Sequence, residues 1–138
     1  MRETPPEACV LLFEGGSAHG PNGVFGAWTV TVDAAGALTI GGQVLGRDVT
    51  PRSAALSPGE RQALASVLDG LSAVPSRRST RMGIPDESML HITAATPAGP
   101  TTLQLWHREA RTVPPVAALL RWIDAIIATH AGHAAAFA

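Results

Sequence analysis

One well-marked helix start stands between two groups of strand-like runs, and that order limits what the chain can fold into. Ser57 is an N-cap candidate, Pro58 suits the first helical position, and Glu60 stands three residues after Ser57, as a capping box requires. Leu64, Val67, Leu68 and Leu71 follow at i, i+3, i+4 and i+7, so one stripe faces a core, while Arg61, Gln62 and Asp69 fall off it. Pro75 ends any continuation. Upstream, Cys9–Phe13 is a short apolar run closed by Glu14-Gly15-Gly16. From Val24 a second run begins in which Trp28, Val30 and Val32 alternate with Thr29 and Thr31, the period of a strand. Asp33-Ala34-Ala35-Gly36 reads as a tight turn into Ala37–Ile40, and Gly41-Gly42 punctuates the chain before Gln43–Leu45. This is a meander of three or four strands.

Downstream of the helix, Met89–Thr96, the turn Pro97-Ala98-Gly99-Pro100 and Thr101–His107 read as a hairpin. Centring the turn on Ala98 and Gly99 pairs Ala94 with Leu103, Ile92 with Leu105 and Leu90 with His107, all on one face. The opposite face then carries Ala95 with Thr102, Thr93 with Gln104, and His91 with Trp106. A slip of one residue would mix the two sets. A last helix starts near Pro114 or Pro115 with Thr112 as its cap candidate. Its stripe is Val116, Leu119, Leu120, Ile123, Ile126 and Ile127, Gly132 is its stop, and His130 suits the dipole of its C-terminal end. The order is β-β-β(-β)-α-β-β-α, which predicts an α+β fold: an antiparallel sheet of about five to six strands with two helices packed on one face. Residues 1–8 form an N-terminal tail, 9–131 a single domain, and 132–138 a frayed C-terminal tail.

Composition narrows the function. At 138 residues the chain suits one domain. Ten arginines, no lysine and eleven acidic residues leave a net charge of −1, too little positive charge for a protein held by phosphate neutralisation, so nucleic acid is excluded as a default partner. The single cysteine, Cys9, excludes an internal disulfide and a cysteine-clustered metal site, and reads as a small buried thiol. No secretory apolar segment precedes it, and the uncharged Ser88–His107 stretch is broken by Thr, Pro and Gly, so no membrane span is visible. A cytoplasmic protein is the expectation.

Catalytic and cofactor motifs fail on context. Gly15 and Gly20 have P-loop spacing, but Pro21 and Asn22 stand where lysine and Ser/Thr are needed, and a strand follows instead of a helix. His130 and His133 have helical spacing, yet Gly132 lies between them and no carboxylate follows, so no metal or other cofactor is expected. His19 is close to Ser17 without the strand-to-helix elbow that exposes a nucleophile. Asp86-Glu87 read as a solvated pair beside the arginines. The chain reads as a non-enzyme.

Two surfaces remain for binding. Arg77, Arg78 and Arg81, interleaved with Ser76, Ser79 and Thr80, could hold an anion or acidic partner, because guanidinium forks suit carboxylates and phosphates. The other comprises the glycine loop, with Gly16, Ser17, His19 and Asn22, together with His91, Trp106 and Arg108. If the polar face of the hairpin is open to water, Trp106 flanked by Arg108 and Arg111 has the composition of a binding hot spot; if a loop or helix covers it, Trp106 is core.

The layout resembles the emfourin family, small bacterial proteins typified by an inhibitor of protealysin, a thermolysin-like zinc protease. The resemblance spans about residues 9–130. It is carried by Leu11-Leu12-Phe13-Glu14-Gly15-Gly16, the Trp28–Val32 strand and its turn, Leu56-Ser57-Pro58-Gly59-Glu60, the later hairpin, and Pro114-Pro115-Val116-Ala117-Ala118-Leu119-Leu120. The chain departs from it before the second hairpin, where Ser88-Met89-Leu90 replaces an expected aromatic, and no inhibitory residue maps onto a specific motif. The resemblance implies a binding protein whose partner is a thermolysin-like metalloprotease. The rival readings are a small-molecule or anion-binding module using the three arginines, and an interaction domain of another kind.

Overall fold

Elements follow one another as β1 (Cys9–Ser17), β2 (Gly26–Asp33), β3 (Ala37–Val44), β4 (Arg47–Ala55), α1 (Pro58–Leu71), β5 (Arg77–Arg78), β6 (Met89–Thr96), β7 (Gly99–Trp106), α2 (His107–Ala110) and α3 (Pro114–Ala131). The computed structural model describes residues 9–17, 26–83 and 87–138; most of the expected glycine loop and N-terminal tail lie outside the described residues. The strands form one seven-stranded sheet in the order β4-β3-β2-β1-β6-β7-β5, antiparallel throughout except where β5 runs parallel to β7.

Alternation sorts the side chains onto two faces. Leu11 and Phe13 of β1, Trp28, Val30 and Val32 of β2, Leu38 and Ile40 of β3, and the aliphatic residues of β6 and β7 all turn to one face and are buried. On that core lie the stripes of α1 and α3, with Leu64, Leu71, Val116, Leu119, Leu120 and Ile123 buried among the strand residues. The α+β class and the antiparallel sheet stand as expected. The seventh strand and third helix are short: β5 has two residues and α2 four.

Three local expectations are corrected. β3 runs through Gly41-Gly42 to Val44, and the missed β4 follows it. β4 hides from pattern reading because it is an edge strand, mostly exposed, with Pro51 inside it; a proline that cannot donate is tolerated only at an edge or a bulge. In the β6–β7 hairpin Thr96 pairs with Gly99 and Ile92 with Leu103, so the turn is Pro97-Ala98 and the register differs by two residues from the expected one. Thr96 explains the tighter turn: its hydroxyl accepts from the Ala98 N–H at 3.2 Å and donates to the Gly99 carbonyl at 2.7 Å. Thr112 is not the cap of α3; Val113 is, and the Thr112 hydroxyl donates to Glu109 O.

The end of the chain is the largest correction. Gly132 stops α3 in the left-handed region at φ 71°, as predicted, but residues 133–138 return to the core and do not fray. Ala135 and Phe137 are buried, and the Phe137 ring meets Phe13 edge-on at 4.9 Å. The Asp124 carboxylate accepts from the N–H groups of both Phe137 and Ala138, at 2.7 and 2.8 Å, and His107 Nε2 donates to Phe137 O at 2.6 Å.

The capping box of α1 does more than start a helix. Ser57 Oγ accepts from Glu60 N at 3.1 Å, and Glu60 Oε1 accepts from Ser57 N at 2.8 Å. The other carboxylate oxygen accepts from His130 Nε2 at 2.9 Å, and Glu60 O accepts from the indole of Trp122 at 3.2 Å, which ties α3 to the start of α1. Partial burial pushes the Glu60 carboxyl upward, but the bonds from Ser57 N and His130 outweigh it and hold the group below its ordinary value. The folded protein therefore favours the carboxylate more than the unfolded chain does. That contribution is full above the ordinary glutamate range and is lost as pH falls below that range and through the lowered value of the folded state. Glu60→Ala is expected to cost about 1 kcal/mol at neutral pH, a few degrees of Tm. The gap between the melting curves of the two proteins should close as the pH drops below about 4; a gap that stayed constant would remove the charge from the account.

Candidate functional site

The sheet face opposite the core carries a polar row that no stretch of sequence contains by itself. Across the strands Gly41 pairs with Thr29, Thr29 with Glu14, Glu14 with His91, His91 with Gln104 and Gln104 with Arg78. Neighbours in such a row stand about 5 Å apart. Glu14 and His91 are exposed, and Arg78 Nε donates to Gln104 Oε1 at 3.2 Å. One step towards the β3–β4 turn, the side chains shrink. Gly15, Gly16, Ala27 and Gly42 leave the sheet thin, and an open depression of ≈ 470 Å³ forms there, rimmed by Glu14, Thr29, Gln43, Met89 and His91. The indole of Trp28 lies beneath Gly42, so close that a Cβ there would fall 2.9 Å from the ring and 2.4 Å from the Ala27 carbonyl oxygen.

Of the residues singled out from the sequence, Gly16 and His91 meet at this depression. Ser17 ends β1, paired with Gly26, and His19 and Asn22 lie outside the described residues. Trp106 is not beside His91: it pairs with Met89, because of the two-residue offset in the hairpin. The question left open for Trp106 has a definite answer, since the Arg81–Gly83 segment covers it. Its indole N–H donates to Arg81 O at 3.0 Å, the Arg81 guanidinium stands 5.9 Å from the ring centroid, and the ring lies against Gly83. Arg108 is exposed on α2, outside the depression.

The arginine cluster is drawn into the fold. Arg77 pairs with Glu109 at 3.5 Å, and Arg81 makes a two-pronged contact with Glu87, at 3.0 Å on the first prong. Glu87 was expected to be solvated, but only 1% of its side chain is exposed. A buried carboxylate demands a cation, and its hydrogen bonds hold the Arg81 guanidinium firmly charged. Arg78 remains, turned onto the open face beside Gln104. His130 is committed to Glu60, and His133 stacks at a tilt on Trp28 with centroids 5.4 Å apart. Among the described residues no three His, Cys, Asp or Glu side chains converge to hold a metal. None of the described helices is long and apolar enough to cross a membrane.

Sequence reasoning missed Glu14, Thr29, Gln43 and Met89 as parts of one surface. Only the β1–β6 pairing brings β1 and β6 together, and no local signal announces it. Comparison with known protein families, with curated proteins and with solved structures finds no match for this chain.

Proposed function

We propose that this chain is a non-enzymatic binding protein that docks a protein partner on the helix-free face of its sheet, around the Gly16–His91 depression. On the resemblance of its sequence layout to the emfourins, the partner we propose is a thermolysin-like zinc metalloprotease. One observation carries the reading: a concave, polar-rimmed surface is built on four neighbouring strands, so its geometry is fixed before a partner arrives and little ordering entropy is lost on binding. The order of groups also speaks against hydrolysis at this place. In the row Thr29–Glu14–His91 the carboxylate stands between hydroxyl and imidazole, whereas nucleophilic catalysis needs the imidazole in the middle. The anion reading is weaker, since Arg77 and Arg81 already have carboxylate partners.

The test is a titration of the protein against a thermolysin-like protease, following cleavage of a peptide substrate. Stoichiometric inhibition that leaves the protein intact supports the reading; no inhibition, or digestion of the protein, overturns the protease assignment. Gly41→Trp locates the surface. A Cβ at Gly41 meets nothing within 4 Å, so the indole would stand on the open face beside Thr29 without disturbing the core. Inhibition should weaken by at least about tenfold, a change of ~1.4 kcal/mol, with Tm within ~2 °C of the parent. Unchanged inhibition would move the docking surface elsewhere.

A further inference from the structure

The turn between β3 and β4 breaks the rule for its own geometry. Val44 pairs with Arg47, so Leu45 and Gly46 form a two-residue loop, and both have positive φ, 52° and 75°. Two positive φ angles mark the mirror-image turn that suits the twist of a hairpin, and its first position is normally Asn, Asp or Gly. Leucine is disfavoured there, because its Cβ crowds the following carbonyl in the left-handed region. Burial does not compensate: Leu45 is 76% exposed. The chain thus holds an aliphatic side chain in water, in a backbone conformation that disfavours it.

The surroundings hold the base of the turn. Val44, just before it, is partly buried against the core, and at the base of the turn Gln43 Nε2 donates to Asp48 Oδ1 at 2.9 Å. Gln43 also lines the depression, so the tip rises from its border. The other large apolar side chain standing in water among the described residues is Met82, 90% exposed, in the segment that covers Trp106. Trp106 pairs with Met89, also on the rim, which puts Met82 at the same end of the sheet. Four strand spacings separate β3 from β7, about 19 Å. Leu45 and Met82 therefore stand at one end of the sheet, on either side of the strands that build the depression.

We propose that Leu45 is a preorganised apolar anchor that inserts into an aliphatic side-chain pocket of the protein partner, with Met82 as a second contact across the depression. The inference deepens the proposed function and rests on it: it names the side chain that carries the docking and the pocket chemistry the partner must offer. An exposed aliphatic group on a backbone already set by a two-residue turn has the properties of a hot spot when it enters a pocket, with full desolvation and little backbone entropy lost.

The test uses Leu45→Asn, which suits the turn, and Leu45→Met, which keeps the apolar character. Each is titrated against the same thermolysin-like protease and melted alone. Leu45→Asn should raise Tm by a degree or more, because the strain is eased, and weaken inhibition at least tenfold. Leu45→Met should keep inhibition within threefold of the parent. Inhibition by Leu45→Asn equal to that of the parent overturns the anchor and leaves the proposed function standing. A parent protein that does not inhibit at all overturns the proposed function and the anchor with it. A lower Tm for Leu45→Asn overturns the argument from strain.

Discussion

Phe137→Ala is expected to destabilise the protein by about 3–5 kcal/mol, the range for removing a fully buried aromatic side chain. That is a large share of the ~5–15 kcal/mol that holds a typical domain together. The effect should be this large because the residue is tied at every group. Its ring is sealed from water and packed edge-on against Phe13, with the imidazole of His107 at 6.0 Å on another side. Its N–H goes to Asp124 and its carbonyl to His107. Alanine would keep the backbone bonds and leave a void beneath Gly15, whose missing Cβ would otherwise stand 3.3 Å from the Phe137 ring. Urea unfolding followed by circular dichroism reads the loss directly. A change under 1 kcal/mol would mean that the last residues only rest on the surface.

The second large effect is expected at Gly42. Valine there would drive a Cβ into the Ala27 carbonyl and the Trp28 indole, and the Ala27 oxygen is backbone that cannot turn aside. Either β3 separates from β2 or the indole leaves its place. We expect a loss of about 3 kcal/mol, near the top of the usual range for overpacking, together with a shift in tryptophan fluorescence. The neighbour provides the control. Gly41 faces open space, so Gly41→Val should melt with the parent. If both variants melt alike, the close approach at Gly42 is not what fixes the floor of the depression.

Much of this fold is legible locally. Ser57, Pro58 and Glu60 announce α1: Ser57 and Glu60 exchange the two capping-box bonds, and Pro58 opens the helix. In the β6–β7 hairpin, alternation assigns the strand residues to the correct faces, but it carries the second strand into His107, which starts α2, and leaves the register two residues out. That error is inherent in the signal, since a period of two detects odd slips and is blind to even ones. β4 gives no alternation because neither of its faces is well buried. The closing segment hides among alanines, where a lone Phe137 has no partner in sequence to form a pattern with. The candidate surface is legible least of all. His91 can be read as a polar-face residue, but its neighbour Glu14 belongs to a strand of the other half, and the true register sets Gln104 opposite His91 and Trp106 opposite Met89.

The place of β1 in the sheet bears on how the chain assembles. β1 to β4 form one run of hairpins and β6 and β7 another, each made from contacts close in sequence. They are joined by a single ladder, in which Leu11 to Glu14 meet Ala94 to His91. Short-range pairs close quickly, whereas joining distant segments carries the entropy of a long loop. The meander therefore precedes the junction, and until β6 arrives the inner edge of β1 stands open with its amides unpaired. During synthesis that edge waits for some eighty residues to leave the ribosome, and it is the surface a chaperone would have to shield.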